Sequence, residues 1–112
     1  MLTVQNIAAA VTTAGLGASA PLEALLRELQ TRIPEKAVQD IKLLPLRSLL
    51  FYANLEALGS DGVEPGQRKF NLTVNCELLP NAAKDNECSE VLFCFLTDSL
   101  GNVTYVSPCF GA

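Results

Sequence analysis

Leu22, Leu25, Leu26, Leu29 and Ile33 form the most continuous apolar stripe in the chain. Their spacing places all five on one side of an α-helix. Ser19 stands where a cap is needed, Pro21 suits the first turn, and Glu23 complements the positive end of the helix dipole. Upstream, Val4, Ile7, Ala8 and Val11 make a weaker stripe. It predicts a helix over residues 3–14 that ends at Gly15 or Gly17. Pro34 closes the leucine helix and opens a shorter one carrying Ala37, Val38, Ile41 and Leu44, which Pro45 stops.

From Leu49 the period falls to two, with Phe51, Ala53, Leu55 and Ala57 alternating with Leu50, Tyr52, Asn54 and Glu56. Gly59 to Gly66 reads as a long turn. The clearest strand follows. Phe70, Leu72, Val74, Cys76 and Leu78 share its inward face, and Lys69, Asn71, Thr73, Asn75 and Glu77 its outward one. Residues 80–89 make a polar connection. Val91 to Leu96 is apolar on both faces and predicts a central strand covered on both sides. A turn over Ser99 to Asn102 leads to a last strand from Val103 to Val106. Helices followed by two hairpins predict an α+β domain, with N-terminal helices packed on a four-stranded antiparallel meander sheet. Residues 1–112 read as one domain. Residues 1–20 would be a helix or arm, 21–45 helical, and 46–112 the sheet.

Composition narrows the function classes. Aromatic residues make up only 6% of the chain and tryptophan is absent, so the core must be built mainly from Leu, Val, Ala and Ile. The net charge is −4, and the longest basic cluster is Arg68-Lys69. Nucleic acid and anionic membrane surfaces are therefore not expected partners. Histidine is absent, which removes the commonest general base and the commonest zinc ligand. Carboxylate pairs such as Glu87 with Glu90, or Glu35 with Asp40, read as solvated surface. No enzyme activity, metal or cofactor is expected. The first twenty residues carry no charged side chain and end Ala18-Ser19-Ala20, as a signal peptide can. The lack of Lys or Arg after Met1, the polar interruptions at Gln5, Asn6, Thr12 and Thr13, and Pro21 directly after the triplet argue against cleavage there. A membrane span is not expected either, since it needs about twenty predominantly apolar residues.

All four cysteines, Cys76, Cys88, Cys94 and Cys109, fall in the last third, among the sequons Asn71-Leu72-Thr73 and Asn102-Val103-Thr104. An even count, with sequons in the same segment of a short chain, suggests a small secreted domain with two disulfides. Four cysteines allow three connectivities, of which the hairpins favour Cys76–Cys88 and Cys94–Cys109. Reduced cysteines in an intracellular protein are the alternative. Asn71 and Asn102 are candidate glycosylation sites. The long loop offers Ser60, Asp61, Glu64, Gln67 and Arg68 as candidate binding residues, because loops carried by a rigid sheet collect such roles.

Phe93-Cys94-Phe95, the turn after it, Thr104 and Cys109 resemble the last hairpin of secreted cystatins, and Phe70 to Cys76 the strand before it. Cys88 to Phe93 is also similar to the matching strand of the latexin relatives. The resemblance spans about 45 residues. It implies a long helix gripped by a curved antiparallel sheet, with two consecutive disulfides. It does not imply protease inhibition. The loop reads Pro65-Gly66-Gln67-Arg68-Lys69 where inhibitory cystatins carry Q-x-V-x-G, and the Pro-Trp of their second loop has no counterpart. The expectation is a non-catalytic extracellular binding protein, acting on another protein or on itself. The alternatives are a self-assembling structural component, resting on an exposed N-terminal segment, or a carrier for a small apolar ligand held between the leucine helix and the sheet.

Overall fold

The computed structural model describes residues 2–17, 19–33, 43–59, 64–75 and 90–108. Helices come first and strands after, as an α+β fold. Helix α1 spans Val4–Ala14 and is opened by Thr3, whose hydroxyl oxygen accepts from the Asn6 N–H at 3.1 Å. Its buried stripe is Ile7, Ala10 and Ala14, while Val4, Ala8 and Val11 are half-buried. The two alanines let α1 lie close against the next helix. Residues 2–17 are therefore part of the core rather than an arm.

Helix α2, Ala20–Arg32, follows the predicted pattern. Ser19 caps it by accepting from the Leu22 N–H at 3.2 Å, and Pro21 occupies the first turn. Leu22, Leu25, Leu26, Leu29 and Ile33 are all buried. Thr13 and Ser19 hydroxyls meet at 3.1 Å and tie the end of α1 to the start of α2.

The third described helix, α3, spans Leu43–Leu50 and overturns two expectations. Pro45 does not stop a helix but stands in the first turn of one, where its missing N–H has no helical partner to lose. Leu49 and Leu50 belong to this helix, not to a strand, and Leu46 and Leu50 are buried one turn apart. The boundary between helices and sheet thus falls near residue 50 rather than 46. Arg47 of α3 pairs with Glu23 of α2. Residues 34–42, for which the shorter helix was expected, lie outside the described residues.

The sheet holds β1 (Ala53–Ala57), β2 (Arg68–Val74), β3 (Glu90–Thr97) and β4 (Val103–Pro108) in the order β1-β2-β3-β4, every pair antiparallel. Two rows cross its inner face: Leu55–Leu72–Phe93, and Ala57–Phe70–Phe95–Val106. Leu72, Phe93 and Phe95 are fully buried in one cluster with the helix leucines. The outer face carries Glu56–Asn71–Cys94–Ser107 and Lys69–Leu96–Tyr105. Here Val91, Cys94 and Leu96 are only half-buried. Strand β3 is central, as expected, but fully covered on one face alone.

Register shifts at Leu72/Thr73 and Leu96/Thr97 place one extra residue in β3 and one in β4. The chain's beginning joins this end of the sheet. Val4 N–H donates to Gly101 O and Val103 N–H to Leu2 O, both at 2.9 Å, and Thr3 bridges Asn102. At the far end of α2, Arg32 donates to Val103 O at 3.1 Å.

Candidate functional site

The predicted site residues do not converge on one place. Cys94 lies in the middle of the outer face, between Asn71 on β2 and Ser107 on β4. Cys76, Cys88 and Cys109 are outside the described residues. A bridge needs two cysteines, so its geometry is not on view.

The two sequons differ in setting. Asn71 points to the outer face of β2, half-buried between Glu56 and Cys94. Its partner Thr73 is buried and donates to Asn54 Oδ1 at 2.8 Å. Asn102 closes the β3–β4 turn. Its side-chain amide donates to Asp98 Oδ2, and its backbone N–H to Asp98 Oδ1, each at 2.9 Å. Leu100 N–H donates to the same Oδ1 at 2.9 Å. These bonds, the Asn102 side chain foremost, hold the Asp98 carboxyl below its ordinary value, because each favours the charged form. Both sequons are thus built into the fold's hydrogen bonding.

In the long loop, Glu64 and Gln67 form a turn. Gln67 N–H donates to Glu64 O at 2.9 Å, and Glu64 N–H returns to Gln67 Oε1 at 3.1 Å. Gly66 supplies the positive φ of +83° that the turn requires. Gln67 is therefore a shaping residue, whereas Glu64 and Arg68 are exposed. Ser60 and Asp61 lie outside the described residues.

One concave feature escapes sequence reasoning altogether. A cleft of about 520 Å³ runs between α1 and α2, lined mainly by Leu2, Asn6, Ala9, Ala24, Leu25 and Arg27. Leu2 and Leu25 form its buried floor, and Ala9 and Ala24 leave its walls open. Ala9 on α1 and Ala24 on α2 are exposed, and side chains this small carry no signal of a cleft. The leucine helix and the sheet, between which the carrier alternative put its ligand, contribute buried side chains to one apolar cluster.

Among the described residues, no group of three or more His, Cys, Asp or Glu is placed to hold a metal ion. No described helix is long and apolar enough to cross a membrane. Set against known protein families, curated proteins and solved structures, the chain finds no match in any of the three.

Proposed function

We propose that this chain is a non-catalytic extracellular domain, stapled by disulfides, that works by binding a protein partner. The observation that carries the reading is a register. Val74 faces Glu90 at the last described pair of β2 and β3, and Cys76 and Cys88 each stand two residues beyond it in sequence. Directly opposed residues on antiparallel strands have Cα atoms about 4.5–5.5 Å apart, within the range a disulfide requires. The second proposed bridge, Cys94–Cys109, rests on the cysteine pattern alone, because the register sets Ser107 opposite Cys94. Each closed loop would add about 3 kcal/mol on the chain-entropy account. Such staples suit a core without tryptophan. Glu64 and Arg68 are the contact residues in this reading, on a turn that Gln67 shapes. A cystatin-like grip enters only as a helix-on-meander arrangement, and no inhibitory role is carried over.

The test is an intact mass of protein secreted from eukaryotic cells, alkylated with and without prior reduction. Two bridges leave every cysteine unmodified until reductant is added, and each glycan adds its own mass. Four alkylated cysteines without reductant would overturn the reading.

The cleft between α1 and α2 favours a second reading, a carrier for a small apolar ligand, with the site moved away from the sheet. Self-association lost its original motive, because Ile7, Ala10 and Ala14 are buried within the fold.

A further inference from the structure

The cleft is not uniform along its length. Helices α1 and α2 are joined by a short turn and run antiparallel, so Asn6 near the start of α1 shares one end of the cleft with Arg27 and Glu28. The other end is formed by Ala20 and Pro21, with Ala9 and Ala24 between. One end is polar and the rest is apolar.

The charges at the polar end do not cancel. Glu28 is engaged by Arg32, whose Nε lies 3.5 Å from its Oε2. Arg27 has no ion-pair partner among the described residues, although the chain as a whole is acidic. Helix α1 contributes no charged side chain to the opposite wall. An exposed guanidinium at the mouth of an apolar trough complements a ligand with one anionic end and one apolar end, since it presents donors in a planar fork that suits a carboxylate. The volume lies within the range of small-molecule sites.

We infer that this cleft binds a monocarboxylate amphiphile of medium chain length, its carboxylate on Arg27 and its tail along Ala9 and Ala24 over Leu2 and Leu25. The inference rests on the carrier reading and adds the headgroup to it. Leu2 and Leu25 are already buried beneath the cleft, so the ligand covers the exposed Ala9 and Ala24 walls rather than opening the core.

The experiment is an amide NMR titration of the full chain with decanoate, and separately with decan-1-ol, below the micellar range. Decanoate should shift the signals of Asn6, Ala9, Ala24 and Arg27 saturably. Arg27→Gln should weaken decanoate about fivefold, the scale of one exposed charge pair, and leave decan-1-ol unchanged. Ala24→Leu fills the trough at an exposed helical position, and it should abolish binding of both while the remaining spectrum stays native. If both probes bind wild type and Arg27→Gln alike, the carrier reading stands and the carboxylate assignment falls. If neither probe produces saturable shifts at the cleft, both fall.

Discussion

Replacing Ile7 by alanine removes three carbons from a side chain that is completely buried between α1 and the rest of the core. At about 0.8 kcal/mol for each buried methylene-sized group, the transfer loss alone is about 2.4 kcal/mol. A cavity left in a tightly packed core raises the total to about 3–4 kcal/mol. For a domain of this size that is a large share of the net stability, and it corresponds to a fall in Tm of roughly 10 °C or more. Leu16→Ala is the matched control. It lies in the same uncharged segment but is 84% exposed, so its effect should stay within about 0.5 kcal/mol. Urea unfolding followed by circular dichroism reads both, with comparable m-values required for the comparison. If Ile7→Ala unfolds within about 0.5 kcal/mol of wild type, α1 is not part of the cooperative core and the reasoning fails.

Four further predictions concern termini and turns. Ser19→Ala removes the cap of α2 and its bond to Thr13, and should cost about 1 kcal/mol in the same urea assay. Gly101→Ala places a Cβ 3.2 Å from the Gln5 side chain at a φ of +91°, and should cost about 1 kcal/mol or more. Gly15→Ala, at a helical φ of −67° with open space around it, should be neutral or slightly stabilising. The folded Asp98 carboxyl is depressed, so its contribution is present above the unfolded value near 4 and is lost as pH falls through the lower folded value. Urea midpoints measured from about pH 5 to pH 2 should therefore show the gap between wild type and Asp98→Ala closing with acid. A gap that stays constant would contradict the hydrogen-bond assignment.

What the sequence made legible follows from how strongly each residue separates inside from outside. Five large apolar side chains at helical spacing defined α2, and Ser19 marked its start. The alternation from Lys69 to Val74 defined β2 and its two faces. Alanine carries almost no such contrast, so Ala10 and Ala14 were passed over and the buried stripe of α1 was read a notch off. Pro45 was read by its usual effect in a helix interior, whereas what matters is its distance from the helix start. The register shifts at Leu72/Thr73 and Leu96/Thr97 arise from pairing two strands, and no single residue announces them. The cleft is similar. It depends on how closely two helices approach, which one-dimensional spacing does not encode.

The hydrogen bonds from Leu2 and Val4 to the β3–β4 turn set an order of events during synthesis. Leu2 and Val4 are synthesised about a hundred residues before their backbone partners. At about 5–20 residues per second, α1 waits on the order of ten seconds before Gly101 and Val103 exist. Through much of that interval an uncharged helix with an apolar stripe has α2, α3 and β1 to pack on but lacks the β3–β4 turn. Until then the backbone of Leu2 and Val4 is open to chaperones, or to wrong contacts, along the edge that in the finished fold is sewn to the β3–β4 turn.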